Sequence, residues 1–152
     1  MSKAFTKEDD SQASVVVPSR QRALPPGTPN PITRAGMLRL RAACNAALSR
    51  GDAAEASHLQ DLMATAVETA PSTVAANVMA FGRGAVVKDS RGKSRTVYVV
   101  GVDEMDASAG RISWLSPLAE ALAGARVGDV VDLETPRGDE ELTVLQVLPE
   151  AP

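Results

Sequence analysis

At 152 residues, 44% hydrophobic but only 3% aromatic, the chain is sized for one domain, or a small domain with an appendage, whose core is built from aliphatic side chains. A net charge of −3 excludes a general basic coat for nucleic acid, and the single cysteine excludes an intramolecular disulfide or a thiolate metal cluster. No apolar run reaches the length of a membrane span, and the opening MSKAFTKEDD carries no apolar signal segment, so the expectation is a cytoplasmic protein without a membrane partner.

Residues 1–31 read as a flexible Pro-rich tail, charged at first and then LPPGTPNP, which buries little apolar area and lacks backbone donors. Order is expected from Thr33, a good N-cap residue following Pro31. Met37, Leu40, Cys44 and Ala47 make one apolar stripe, so Cys44 reads as a small core residue, and Ser49–Gly51 supplies a stop. A second helix begins at Asp52, carries Leu59, Leu62, Met63, Ala66 and Ala70 along one face, and ends at Pro71. Two stripes joined by a tight turn predict a short antiparallel helical hairpin, a coiled coil, over 32–71. The first arm is net basic; the second, with Asp52, Glu55, Asp61 and Glu68, is net acidic.

A linker over 72–80 leads to a region of strands and turns. GAVVKD (84–89), SRTVYVVGVD (94–103), RISWL (111–115), VGDVVDLET (127–135) and EELTVLQVL (140–148) read as strands, and SPLAEALAG (116–124) as a short helix capped by Ser116 with Pro117 at its first position. The fold class is α+β: a helical hairpin followed by an antiparallel sheet domain with one short helix, over 81–149.

Chemistry concentrates in RGDAAEA (50–56). Asp52 and Glu55 are three residues apart at the start of a helix and face the same side. One reading is a capping box, in which Asp52 accepts from the third amide and Glu55 reaches back to the first. The other is a carboxylate pair held out toward a hard cation such as Mg²⁺. His58 has no second His or Cys beside it in the sequence and reads as surface or hairpin packing. Ser116-Pro117 is a good helix start. Trp114 and Leu115, as strand neighbours, are expected on opposite faces, one of them exposed to a protein contact.

Specific stretches add a family. FGRGAVVKD, the run from Ile112 through Ser116-Pro117, Ala121-Leu122 and Val127-Gly128-Asp129 to Thr135-Pro136-Arg137-Gly138, and Gly51-Asp52-x-x-Glu55 together resemble the GreA/GreB family of bacterial transcription elongation factors. That resemblance implies an FKBP-like fold for the sheet domain and RNA polymerase as partner. Trp114, Leu115, Ser116 and Pro117 would form a docking loop at the rim of the secondary channel. Asp52 and Glu55 at the hairpin tip would act catalytically, helping to hold a shared Mg²⁺ at the polymerase active site while a backtracked transcript is cleaved; the chain would have no cofactor of its own. Arg34, Arg39, Arg41 and Arg50 are candidates to touch nascent RNA, or a solvated surface. The chain departs from the family in three ways: Ala56 stands where an Asn is usual, Leu115 where a polar residue is expected, and each arm is roughly 12–15 residues short. The shortening resembles Rnk-type regulators and withdraws the tip by roughly 20 Å. A non-cleaving regulator that competes with longer relatives is therefore the alternative. A prolyl isomerase, raised by the FKBP-like fold alone, is disfavoured by a total of four aromatic residues.

Overall fold

The structure, a computed structural model, describes residues 24–70 and 73–150. Residues 1–23, the greater part of the expected tail, and Pro71, the expected helix stop, lie outside the described residues. Strand β1 (Pro31–Ile32) leads into helix α1 (Arg34–Ser49), then α2 (Ala53–Thr65) and strand β2 (Val67–Glu68). The sheet domain follows with β3 (Gly84–Asp89), β4 (Ser94–Val100), β5 (Arg111–Ser113), helix α3 (Pro117–Leu122), β6 (Val130–Thr135) and β7 (Gly138–Leu148).

The hairpin forms where the stripes predict it. Thr33 caps α1, its Oγ1 accepting from the Gly36 amide at 3.0 Å. Leu40, Cys44 and Ala47 of α1 bury against Ala56, Leu59 and Leu62 of α2, with Met37 and Met63 packed at the edges. Helix α2 ends five residues before Ala70. The competing interaction is β pairing: the Val67 amide donates to Asn30 O at 2.8 Å and the Thr69 amide to Ile32 O at 2.9 Å, so the chain leaves the helix to make a parallel pair with β1. Among the described residues no helix is long and apolar enough to cross a membrane.

The five-stranded sheet has the order β5-β4-β3-β7-β6, and α3 packs on one face. Alternation puts Ala85 and Val87, Val97 and Val99, Leu133, and Leu142 and Val144 beneath it, around the fully buried Leu122. The expected antiparallel sheet carries one parallel pair, β4 with β5. No hairpin turn joins these strands. Two single-turn 3₁₀ segments, Val102–Glu104 and Ala107–Ala109, carry the chain across, and an antiparallel bridge between Asp106 and Arg111 turns it into β5. The segment before β3 is held from inside: the guanidinium of Arg83 donates to Val74 O, Ala75 O and Val78 O at 2.6–2.8 Å.

The hairpin and the sheet domain keep separate apolar cores. Between the elements of the two halves, the extensive contact is β1 against the Val102–Glu104 turn. The joint is polar and converges on Glu104, which is 5% exposed. Its Oε2 accepts from the Thr33 amide at 2.9 Å and the Gly101 amide at 2.8 Å. Its Oε1 accepts from the Thr33 hydroxyl and pairs with Arg39 at 3.3 Å. Asn30 donates to Asp103 at 3.0 Å alongside. Two glycines make the approach possible: a Cβ on Gly36 would fall inside the Glu104 carboxylate, and one on Gly101 would fall on the Pro31 carbonyl oxygen. Partial burial, then the nearby Arg111 charge, hold the Arg39 guanidinium below its ordinary value, opposed by Glu104 and Asp106.

Candidate functional site: the hairpin tip and the loop before the short helix

The tip is a three-residue connection, Arg50 to Asp52, built by interlocking caps. Gly51 takes φ +76°, a conformation that favours glycine because it has no Cβ. That lets the Gly51 amide donate to Leu48 O at 3.1 Å and the Asp52 amide to Ala47 O at 2.9 Å, the two bonds of a Schellman stop. Asp52 then starts α2, its Oδ1 accepting from the Glu55 amide at 3.1 Å. One residue therefore closes α1 with its backbone and opens α2 with its side chain.

This arrangement departs from a capping box in one respect. The Asp52 amide is already committed to Ala47 O, so the reciprocal bond from the Glu55 carboxylate is replaced and Glu55 stays at the exposed surface. Asp52 is exposed too, with Arg50 at 3.9 Å from its Oδ2. The tip thus presents one carboxylate that caps and one that does not, both on a rigid turn and both open to solvent. Among the described residues no three His, Cys, Asp or Glu side chains gather to hold a metal ion. The pair can supply only part of a cation's shell, which suits Mg²⁺, an ion that ordinarily takes one or two carboxylates and completes its shell with water and phosphate.

Losing the cap has a defined cost. Asp52→Ala is expected to lower thermal stability of the helical signal by about 1 kcal/mol, with Asp52→Asn close to the natural protein because an amide oxygen caps as well. Equal melting of Asp52→Ala and the natural protein by circular dichroism would remove the cap.

The second candidate group lies far along the chain. Strand β5 ends at Ser113, so Trp114 and Leu115 sit in a turn rather than on a strand. The strand geometry that set them on opposite faces therefore does not apply, and both line one cleft of about 320 Å³ with Met79, Phe81 and Val99. The turn is fixed by the Trp114 amide donating to Val100 O at 2.9 Å and the Leu115 amide to Ser113 Oγ at 3.0 Å. The indole Nε1 of Trp114 is enclosed and has no hydrogen-bond partner. Ser116 caps α3, its Oγ accepting from the Ala119 amide at 3.2 Å, and Pro117 is exposed at the first helical position.

The four arginines do not gather. Arg39 is tied to Glu104, Arg50 lies at the tip beside Asp52, and Arg34 and Arg41 are exposed on α1. His58 is half-buried on α2 and Asp61 is exposed. Sequence reasoning passed over Glu104, the residue that joins the halves. A carboxylate in a loop has no periodic signature; the available clue was GVDEMD, a glycine three residues before an acid, which is the spacing of a local amide–carboxylate bond.

Comparison with known proteins gives the following. The family described as transcription elongation factor GreA/GreB, C-terminal part, matches residues 74–149. GreB of Neisseria meningitidis is 46% identical over 67 residues, 44% of this chain and 41% of that protein. GreA of Desulfovibrio desulfuricans is 37% identical over 106 residues, 68% of this chain and 65% of that protein. The chain spans about half the length of the curated relatives it matches. Among solved structures, Gfh1 of Thermus thermophilus aligns over 79% of this chain and 99% of its own at 25% identity, with a TM-score of 0.43.

Proposed function

The chain belongs to the GreA/GreB family of transcription elongation factors, and from that premise we propose that it acts on RNA polymerase, docking by its sheet domain and offering its hairpin to the secondary channel. The observation that carries this reading is the tip: Asp52 and Glu55 are exposed together on a turn made rigid by the Gly51 stop and the Asp52 cap. The turn at Trp114, Leu115, Ser116 and Pro117 is the docking loop. Its cleft is lined chiefly by apolar groups, which suits an apolar side chain of the partner.

In this reading the chain has no reaction centre of its own. A divalent cation at the polymerase active site supplies electrostatic stabilisation to the attacking and leaving oxygens of the transcript phosphodiester. Glu55 and Asp52 contribute hard oxygen ligands from outside, and the hairpin carries them to the site. The protein stimulates cleavage by the polymerase and works where the polymerase works, in the cytoplasm.

One observation favours a second reading. Helices α1 and α2 have 16 and 13 residues, so the arms are about 24 and 20 Å long. A tip that stops short of the active centre leaves a regulator that fills the channel mouth and competes with longer relatives.

Transcript cleavage in a purified, backtracked polymerase complex with Mg²⁺ decides between them, comparing the natural protein with Asp52→Ala/Glu55→Ala. The expected result is cleavage above buffer that falls at least about tenfold in the double variant. Displacement of a longer family member without cleavage supports the second reading. Neither cleavage nor displacement sinks the polymerase as partner.

A further inference from the structure

We propose that Glu104 is a positioning residue for the hairpin tip: its buried carboxylate sets the direction in which Asp52 and Glu55 are presented relative to the docking loop. The proposal deepens the reading above and rests on it for its consequence in transcription, though not for its geometry.

The argument starts from the two separate cores. Apolar packing is non-directional, and the main buried apolar clusters of the hairpin and of the sheet domain are separate. Orientation is then set chiefly at the joint, where the strongest contact between elements of the two halves is β1 against the turn that contains Glu104. One carboxylate there collects Thr33 through both its amide and its hydroxyl, Gly101 through its amide, and Arg39 through its guanidinium. Charge-assisted hydrogen bonds of this kind are directional as well as strong. Thr33 is the cap of α1, so Glu104 grips the residue from which the rigid arm departs. The carboxylate also lies at the N-terminal end of a 16-residue helix, where a negative charge is favoured.

Geometry gives the joint its leverage. An arm about 24 Å long turns a rotation of about 10° at its base into a displacement of about 4 Å at its tip. Metal coordination tolerates only about 0.2 Å. A joint held by apolar contact alone would serve stability as well or better, since buried ionic groups are seldom the most stabilising choice. Their value here is a single, defined angle.

The test measures that angle without the polymerase. Spin labels on Ser57→Cys, exposed on α2, and Ser90→Cys, exposed between β3 and β4, report the tip-to-sheet distance in the full chain with Cys44→Ala. The natural joint and Thr33→Ser, which keeps hydroxyl and amide, are expected to give one narrow distance. Glu104→Gln and Glu104→Ala are expected to broaden it at least about twofold while helical content and Trp114 fluorescence stay native, the signature of a loosened hinge. An unchanged distance in both variants overturns the proposal. Loss of native helix or fluorescence in both also overturns it, because Glu104 would then be structural only. In the backtracked complex, both variants are expected to keep docking competition and lose any tip-dependent effect. If the natural protein has no effect on the polymerase, the functional reading fails while the distance measurement still decides the role of Glu104.

Discussion

Leu122→Ala is expected to destabilise the sheet domain by about 2–5 kcal/mol. Leu122 is fully buried at the end of α3 and packs in one cluster with Met79, Val87, Leu142 and Val144. Removing its branched end takes apolar area from the centre of that cluster and leaves a void, since α3 is held down by its cap and by the strands around it and has little freedom to collapse inward. Trp114 packs against the same cluster and is the one tryptophan in the chain, so its fluorescence reports this domain without contribution from the hairpin. For a domain of this size each kilocalorie corresponds to roughly 4–8 °C in Tm. A fluorescence Tm within a few degrees of the natural protein would show that the site repacks and that Leu122 is not the keystone of the cluster.

Gly101→Ala is expected to open the joint at a cost of about 1–3 kcal/mol or more. The backbone at Gly101, φ −69° and ψ 162°, is one that alanine adopts freely, so the effect comes from space alone. The added Cβ would fall on the Pro31 carbonyl oxygen, and Pro31 is fixed by the parallel pairing of β1 with β2. Either β1 lifts, taking Thr33 away from Glu104, or the Val102–Glu104 turn is pushed out. Hydrogen exchange distinguishes these from no change at all: the Thr33 and Gly101 amides, both bonded to Glu104, should lose protection together. Natural protection of both amides in a folded Gly101→Ala protein would mean that the approach at Pro31 is looser than the structure indicates.

The parts of the molecule governed by local periodicity were legible in the sequence. The stripes Leu40–Cys44–Ala47 and Leu59–Leu62 gave the hairpin, Thr33, Asp52 and Ser116 gave three helix starts, and alternation in GAVVKD gave β3 at its observed bounds. What failed was decided by specific partners rather than by periodicity. Helix α2 yields to pairing between Val67 and Asn30, residues 31–32 being too short a strand to announce itself. Strand β5 stops at Ser113 because Ser113 takes the Leu115 amide on its hydroxyl and the Ser116 amide on its carbonyl, a turn that removes Trp114 and Leu115 from the alternating pattern. At the tip, spacing identified Asp52 and Glu55 but could not tell that the Asp52 amide would be taken by Ala47, which is what leaves Glu55 outside the cap. At Glu104 only the Gly101 bond is local; its Thr33 and Arg39 partners lie some seventy residues earlier in the chain, which is what hid its role as a joint.

The interlocked tip has a consequence for how such a hairpin can change its reach. Asp52 ends one helix and begins the next, so the turn itself has no slack in which to gain or lose a residue. Growth is confined to the arms, and an insertion in one arm must be matched in the other or the paired faces of Leu40–Cys44–Ala47 and Ala56–Leu59–Leu62 fall out of step. The smallest matched insertion that returns every side chain to its face is about seven residues, two turns, per arm. Each such step moves the carboxylates about 10 Å along the axis and leaves their heading nearly unchanged. Reach in this architecture is a ladder with fixed rungs.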